Sequence, residues 1–209
     1  MSDNESDKSD NDAPKDPALE EFNDKYNLEI KDMNITSIDL EDEDIGEEGF
    51  QDLCKMDFKE LKELNLRNNN ISDINLLEQA KFEKLENLNL TKNRIIDINV
   101  LEKVNFKELK ELYLYENIIS DISILEKVNF PKLEFLNLES NRISDISVLE
   151  KVNFKELKGL YLNKNNITDI KVLEKCNFEK LEMLNLKGNQ IEDKSIIEKL
   201  KTKIKVVMI

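Results

Sequence analysis

The segment Leu61–Ile74 reads LKELNLRNNNISDI, and close copies of it follow at intervals of 24 residues. The copies are LENLNLTKNRIIDI from Leu85, LKELYLYENIISDI from Leu109, LEFLNLESNRISDI from Leu133, LKGLYLNKNNITDI from Leu157 and LEMLNLKGNQIEDK from Leu181. A phenylalanine precedes each copy at the same interval, at Phe58, Phe82, Phe106, Phe130, Phe154 and Phe178. Such a period is typical of a solenoid, in which each unit covers the apolar face of the next.

Each unit contains a predicted strand, a sharp turn and a predicted helical turn. Leucines alternate as in a half-buried strand, with Leu64 and Leu66 and their equivalents pointing inward. An asparagine follows every strand, where it tolerates left-handed backbone and bonds the neighbouring unit. These asparagines are Asn69, Asn93, Asn117, Asn141, Asn165 and Asn189. Ser123 stands three residues before Glu126, the spacing of a capping box, and Lys171 breaks that pattern, so its turn is predicted to be the least well capped.

Charged residues are predicted to form ladders along the stack. One repeat position alternates in sign, and a second position does so in antiphase. The first position holds Lys62, Glu86, Lys110, Glu134, Lys158 and Glu182, and the second holds Glu60, Lys84, Glu108, Lys132, Glu156 and Lys180. Stacked neighbours therefore face opposite charges, each pair contributing about 0.3 kcal/mol.

The composition predicts a soluble protein without a membrane span. Of 209 residues, 39% are hydrophobic and 36% charged, and no stretch approaches the ~20 apolar residues that cross a bilayer. The amino terminus lacks the basic and apolar regions of a secretory signal, which predicts a cytoplasmic or nuclear location. Cys54 and Cys176 are predicted to be reduced thiols.

The chain has no histidine, no glycine-rich phosphate loop and no cysteine beside a base, so we predict no catalytic residue, metal or cofactor.

The formal charge of −14 is unevenly distributed. Residues 1–60 contain 21 acidic residues and 6 lysines, whereas the remaining 149 residues contain 24 acids and 25 bases. The acidity thus belongs to the N-terminal part, and the repeats are nearly neutral. Neither part has the clustered basic face that nucleic acid requires, so nucleic acid is not predicted as a partner.

Three regions are predicted along the chain. Residues 1–18 have almost no apolar side chain and are predicted to be a disordered acidic tail. Residues 19–34 are predicted to cap the first repeat, by a segment whose spacing fits helix and strand equally. Residues 35–209 are the repeat domain: one 26-residue unit with a fuller helix, six units of about 24 residues, and a terminal strand.

Both ends of the repeat domain have unusual sequences. The acidic run DLEDEDIGEE in the first unit resembles a calcium loop, but Ile45 stands where a third ligand is needed, so a solvated acidic edge is expected instead. At the other end, Ile204–Ile209 matches the start of a further unit. An uncovered strand edge there predicts a partner or a second copy pairing with it, or a chain that is a fragment.

The shared string LxxLxLxxNxIxDIxxLExxxF resembles the leucine-rich repeat family over roughly residues 35–209. The short unit is similar to that of the leucine-rich-repeat regulatory subunit of protein phosphatase-1. The ISDIS segments at Ser120–Ser123 and Ser144–Ser147 are similar to bacterial internalins, although a secretory signal and the proline common after ISDIS are absent. The resemblance implies an α/β solenoid: an arc with a parallel sheet on its concave face, short helices or helical turns on its convex face, and a binding role.

If that geometry holds, a group of aromatic residues projects from the concave face. These aromatic residues fall at outward strand positions of three consecutive units, whose neighbouring strands lie about 4.8 Å apart. They are Tyr113, Tyr115, Phe135 and Tyr161, and Met183 extends the group. Aromatic residues that the core does not require are the usual anchors of protein interfaces. They are therefore predicted to bind a protein partner. The alternative is that Tyr113 and Tyr161 are duplication copies on an ordinary strand, where tyrosine has good propensity.

Three cations are expected beside this group. Arg94, Arg142 and Lys164 lie in the loops just beyond the strands and are predicted to receive an acidic partner segment or the chain's own tail.

The expected function is a non-catalytic protein-interaction module, as a regulatory or scaffold subunit in the cytoplasm. Two alternatives stay open: an internalin-like surface or secreted adhesion protein, and a structural repeat segment of a larger assembly.

Overall fold

The computed structural model describes residues 16–193 and 195–209, which form three α-helices, eight strands and five 3₁₀ turns. The helices are α1 (Pro17–Tyr26), α2 (Gly46–Lys55) and α3 (Ile197–Lys203). The strands are β1 (Ser37–Asp39), β2 (Glu63–Asn65), β3 (Asn87–Asn89), β4 (Glu111–Tyr113), β5 (Phe135–Asn137), β6 (Gly159–Tyr161), β7 (Met183–Asn185) and β8 (Val206–Met208). The 3₁₀ turns are Asn75–Glu78, Asn99–Glu102, Ser123–Glu126, Ser147–Glu150 and Lys171–Glu174.

The eight strands form one parallel sheet in chain order, with equivalent residues side by side. Leu64 pairs with Leu88 and Leu88 with Leu112, so the 24-residue period is also the strand register. In the longer first unit, α2 replaces the 3₁₀ turn of later units, and Ile38 still pairs with Leu64. The predicted solenoid, with a parallel sheet on one face and helical turns on the other, is confirmed.

The phenylalanines of the 24-residue period lie in the core, as predicted. Phe58, Phe82, Phe106, Phe130 and Phe154 are at most 3% exposed, whereas Phe178 is half-buried near the C-terminal end. Burying such a side chain stabilises the fold by about 1.5–3 kcal/mol. Because these rings belong to one continuous buried cluster, they hold the units together without using the concave face.

The asparagine ladder bonds each unit to the preceding one, as predicted. Asn117 donates from Nδ2 to the carbonyl of Leu90 at 3.0 Å and accepts at Oδ1 from the Ile95 N–H at 3.0 Å. The left-handed residue, however, is the one before the asparagine, for example Glu116 with a φ of 55°. The asparagine itself keeps ordinary backbone because its amide must point into the stack.

The 3₁₀ turns begin differently from the predicted capping box. No side-chain hydrogen bond of the capping-box kind forms at these turns. Instead Asp121 accepts from the N–H of Ser123 at 2.8 Å, and Asp169 accepts from the N–H of Lys171 at 2.8 Å. The aspartate two residues upstream thus occupies the N–H of Ser123 to which the Glu126 carboxylate would return in a capping box. The Lys171 turn is therefore capped as well as the others, and that prediction was wrong.

Ion pairs run along the stack at the predicted positions. Lys84 contacts Glu60 at 2.6 Å and Lys158 contacts Glu134 at 2.6 Å. A third ladder, which the sequence analysis missed, joins successive 3₁₀ turns, for example Lys103 to Glu78 at 3.2 Å. All these pairs touch solvent, so each contributes only a few tenths of a kcal/mol, about 0.3.

The N-terminal cap is a helix packed on the first unit. Helix α1 begins at Pro17, within the predicted tail, because Asp16 accepts from the Ala18 N–H at 2.9 Å and proline suits the first helical position. Phe22 is buried against α2, and Tyr26 lies 3.0 Å from where a side chain at Gly49 would begin. The rest of the predicted tail, residues 1–15, lies outside the described residues.

The acidic run of the first unit is bonded to the second unit and is more than a solvated edge. Its side chains accept from donors one strand away. These pairs are Glu41 with Arg67, Asp42 with Asn68, Asp44 with Asn70, and Glu47 with Ser72. The run therefore fixes the first unit against the second.

At the other end, β8 pairs with β7 through Val207 and Leu184. Its outer edge meets no further strand in residues 16–193 and 195–209, and Val206 and Ile209 are 36% and 37% exposed.

Candidate protein-binding surface

The concave face has two halves of different chemistry. We call the concave residues of the first three strands the polar half. They are Ser37, Asp39, Glu41, Glu63, Asn65, Arg67, Asn87, Asn89 and Thr91. We call those of the next four strands the aromatic half. They are Glu111, Tyr113, Tyr115, Phe135, Asn137, Glu139, Gly159, Tyr161, Asn163, Met183, Asn185 and Lys187.

The aromatic half brings two of the predicted residues, Phe135 and Tyr161, against one glycine. A Cβ at Gly159 would lie 2.8 Å from the Phe135 ring and 3.1 Å from the Tyr161 ring. Phe135 pairs directly with Gly159 across β5 and β6, so the ring of one unit lies over the bare backbone of the next. A larger side chain at this position would force the Phe135 ring to shift. Both rings remain half-buried and reach solvent.

Tyr113 is held by a carboxylate. Its hydroxyl donates to Glu111 at 2.8 Å, and Asn87 donates to the same carboxylate oxygen at 2.7 Å. Burial, this hydrogen bond and the negative charge of Glu111 raise the pKa of Tyr113 above its ordinary value. The charge of an ionised Tyr161 contributes to the same increase, so the two phenols are near enough to interact electrostatically. The ring stays neutral at ordinary pH.

Tyr115 lies one position beyond β4, beside charged neighbours. A hydrogen bond with Glu116, followed by burial, raises the pKa of its hydroxyl. Lys164 is close to Tyr115 but donates to Glu139 at 2.8 Å. The predicted cation at this place is thus neutralised by a carboxylate of the neighbouring unit. Lys164 also has a φ of 54°, so it is the left-handed residue of its turn.

Arg94 and Arg142 are exposed at one loop position, two units apart. Their backbone N–H groups donate to Ile71 and Ile119 at 2.8 Å, which fixes the loops. Within residues 16–193 and 195–209, neither guanidinium forms an ion pair or side-chain hydrogen bond. These are the two predicted cations that are free to meet an acidic group.

Two apolar residues of this surface have different origins. Met183, which was predicted, is half-buried on β7 and pairs with Gly159, so it continues the aromatic half. Ile96, which the sequence analysis missed, is 60% exposed in the loop that contains Arg94. The sequence could have identified this residue, because Ile96 occupies the repeat position that is serine in other units, at Ser72, Ser120 and Ser144.

Asparagines at the second concave position satisfy the backbone two residues later. Asn89 accepts at Oδ1 from the N–H of Thr91 at 3.0 Å, and Asn137 accepts from that of Glu139 at 2.9 Å. Asn65 and Asn185 do the same for Arg67 and Lys187.

Strands β4 and β6 carry tyrosine at this position. In the described part of the chain the N–H groups of Tyr115 and Asn163 then meet no acceptor. Asn163, which is 6% exposed, also buries a side-chain oxygen without a hydrogen-bond partner among the described residues. The aromatic half thus combines exposed rings with unpaired polar groups.

Other kinds of site find little support in residues 16–193 and 195–209. No group of side chains there is arranged to hold a metal ion. None of the described helices is long and apolar enough to cross a membrane. A cleft of about 320 Å³ opens between α1 and α2, lined by Phe22, Met33 and Met56 among others. It lies at the N-terminal cap, away from the aromatic half.

Comparison with known proteins defines the family. The family model described as Leucine Rich repeats (2 copies) matches residues 59–103, 107–151 and 155–199. These matches cover more than half of the chain, and they coincide with the strand, asparagine and 3₁₀ turn of each unit. The chain belongs to the leucine-rich repeat family. A comparison with curated protein sequences finds no match.

Solved structures show the same fold. Internalin C2 from Listeria monocytogenes is 24% identical, with a TM-score of 0.62, and 92% of each chain is covered. The Toll–Spätzle complex from Drosophila is 23% identical, with a TM-score of 0.53 over 63% of this chain. That match spans only 19% of the Drosophila chain. At these identities the likeness establishes the solenoid alone.

Proposed function

We propose that the protein is a non-catalytic interaction module that binds a protein partner on the aromatic half of its concave face. One observation carries the proposal. Phe135 and Tyr161 lie against Gly159, and Tyr113 stands two strands from Tyr161 on the same face; all three rings are half-buried where the core does not need them. Half-buried aromatic side chains in a cluster are the usual anchors of a protein interface. Met183 and Tyr115 extend the cluster to four strands.

The surroundings of the aromatic half support a polar rim. Arg94 and Arg142 are exposed, and they lie about 10 Å apart, since two inter-strand spacings separate their units. We propose that they receive acidic groups of the partner. Lys164 is paired with Glu139 and contributes to the rim as one half of an ion pair.

Affinity capture from cells tests this function. The wild-type chain is compared with the variant Tyr113→Ala, Phe135→Ala, Tyr161→Ala and with a matched variant in the polar half, Ser37→Ala, Glu63→Ala, Arg67→Ala. We expect the aromatic variant to lose the captured protein and the polar variant to retain it. Equal capture by all three would refute the proposal.

The same variants need a folding control. Phe135 covers Gly159, so its truncation removes buried area and lowers the melting temperature modestly. Circular dichroism of both variants must show a cooperative transition for the capture to be interpreted. Identification of the captured protein then separates a regulatory subunit, which holds an enzyme as the phosphatase regulator does, from a scaffold. We further propose a cytoplasmic location.

A second candidate is an internalin-like surface protein, favoured by the ISDIS segments at Ser120–Ser123 and Ser144–Ser147. Cell fractionation with an antibody to the repeats separates the two functions. Signal at the cell surface or in the medium supports the adhesion protein, and signal in the cytosolic fraction supports the intracellular module.

A further inference from the structure

Two unpaired backbone donors distinguish the aromatic half from the polar half. At five of the seven strands β1–β7, an asparagine or aspartate at the second concave position serves the N–H two residues later. At β4 and β6, where Tyr113 and Tyr161 stand, no atom of the described chain serves the N–H of Tyr115 or Asn163. Buried backbone donors in a folded protein almost always have a partner, which is another protein atom or a water molecule.

Both tyrosine rings point away from these donors. The hydroxyl of Tyr113 bonds Glu111, two residues upstream, and the ring of Tyr161 lies against Gly159, also two residues upstream. The unpaired N–H groups are two residues downstream of the tyrosines. The rings of Tyr113 and Tyr161 therefore lie beside the unpaired N–H groups and do not cover them.

The spacing of the donors selects a peptide conformation. Two inter-strand spacings separate them, which is about 10 Å. In a polyproline II helix, carbonyl groups three residues apart point in the same direction and are about 9 Å apart. In a β-strand, carbonyls that point the same way are separated by about 7 or 13 Å, and neither distance matches. A polyproline II segment crossing the strands brings two of its carbonyls to the two donors.

The side chains around the donors fit such a segment. Tyr113, Phe135 and Tyr161 form an aromatic surface of the kind on which proline-rich segments dock. The N–H of Asn163 meets no acceptor among the described residues and is the group offered to the segment, whereas the unpaired Oδ1 of Asn163 is buried and stays inside the repeat.

The charge of the concave surface indicates which residues flank the prolines of such a segment. The carboxylate of Glu111 faces the concave surface and accepts only from the neutral donors Asn87 and Tyr113. Because no cation of the described chain pairs with it, a lysine or arginine of the partner complements it.

We propose that the aromatic half binds a basic, proline-rich segment of its partner in the polyproline II conformation, with carbonyls three residues apart accepting from the N–H groups of Tyr115 and Asn163. This inference rests on the proposed function and specifies the chemistry of the partner.

Amide NMR with a defined peptide tests the inference. The probe is a blocked peptide of repeated Pro-Pro-Ala units, about nine residues long to span three polyproline II turns, between two arginines. A peptide of equal length with Gly-Ser in place of Pro-Pro-Ala is the control. We expect the amide signals of Tyr115 and Asn163 to move downfield with the proline probe, and those of Thr91 and Glu139, which already have acceptors, to stay.

Restoring the missing acceptor provides the matched variant. Tyr113→Asn together with Tyr161→Asn recreates the arrangement of β3 and β5, so both donors become occupied from within. We expect affinity for the proline probe to fall at least tenfold, because two hydrogen bonds and two aromatic contacts are lost. Asn137→Tyr, which leaves both original tyrosines, retains binding.

Specific outcomes overturn the inference. They are unchanged Tyr115 and Asn163 signals at saturating proline probe, equal affinity for the Gly-Ser control, or unaltered affinity in the double asparagine variant. If these occur while the aromatic alanine variant still loses its captured protein, the proposed function stands and only the polyproline chemistry fails. Retained capture by the alanine variant instead refutes the function itself.

Discussion

The polar half and the aromatic half of the concave face have the same backbone and differ in how their polar groups are satisfied. In the polar half, Arg67 pairs with Glu41, and Asn65 serves both Asp39 and the N–H of Arg67. In the aromatic half, tyrosines replace two asparagines, and the N–H groups beyond them find no acceptor among residues 16–193 and 195–209. Changing one side chain in every second unit of a repeat scaffold thus removes the internal acceptor of a backbone N–H group.

The scaffold behind the two halves is uniform. Every ladder asparagine bonds the carbonyl of the preceding unit, and the phenylalanines of the 24-residue period are buried from Phe58 to Phe154. Differences between the halves therefore belong to the surface, and this can be tested by perturbing the scaffold and the surface separately.

The largest expected effect comes from the ladder. Asn93→Ala and Asn141→Ala each leave buried carbonyl and N–H groups unpaired, because each amide bonds the preceding unit from both ends. We expect each to lower the free energy of unfolding by about 3–5 kcal/mol, from two or three groups at 1–3 kcal/mol each. Urea titration measures the loss. Similar values for the two variants confirm that the scaffold is the same under both halves, whereas a much smaller loss in one would break that claim.

The second effect concerns Gly159. A methyl group there meets the Phe135 ring at 2.8 Å, so Gly159→Ala forces the ring aside and lowers stability by about 1–3 kcal/mol. Phe135→Ala removes the obstacle. In a double-mutant cycle we therefore expect Gly159→Ala to cost less in the Phe135→Ala background. Additive losses would show that the two residues do not depend on each other.

The third effect separates the halves at single amides. The N–H groups of Tyr115 and Asn163 lack acceptors, so we expect their hydrogen exchange to be at least tenfold faster than that of Thr91 and Glu139, corresponding to about 1.4 kcal/mol of lost protection. Exchange followed by NMR gives the rates. Tyr161→Asn should slow exchange at Asn163 alone, and equal rates at all four amides would contradict the contrast between the halves.

The smallest effect appears at high pH. The pKa of Tyr113 is raised in the folded state, so the neutral phenol is favoured there. Its contribution is complete below about pH 10, the ordinary tyrosine pKa, and is lost as the pH rises further. Burial raises the pKa of the Cys54 thiol to about 12. The neutral thiol is therefore also favoured in the folded state, and its contribution to stability is likewise lost as the pH rises. We expect unfolding free energies at pH 8 and pH 11 to differ less in Tyr113→Phe and in Cys54→Ala than in the wild type.

Much of the fold follows from the repeat. A 24-residue period with alternating leucines defines strand, turn and register at once, because each unit must bury its apolar face on an identical neighbour. The ladder asparagines and the alternating charges followed from the same reasoning. The start of the 3₁₀ turns did not: Ser123 and Glu126 have capping-box spacing, but Asp121 competes for the same N–H and is nearer. Sequence spacing does not rank two local acceptors for one donor.

The placement of the aromatic residues on one face was predictable from the sequence, whereas their role in binding stays a prediction and their polar contacts were not predictable. The alternation of the strands places Tyr113, Phe135 and Tyr161 on one face. Whether Lys164 is free depends on Glu139 in the preceding unit, and only the stacked units bring that carboxylate within 2.8 Å.

The sequence by itself determined the solenoid, its register and the face on which the aromatic residues lie, because these depend on periodicity alone. The tertiary structure decided which polar groups remain unpaired. Hydrogen bonds are short-ranged and directional, so the fate of each N–H depends on where a neighbouring side chain points. Tyr113 and Tyr161 turn back toward Glu111 and Gly159, and the N–H groups two residues beyond them meet no acceptor in the described part of the chain.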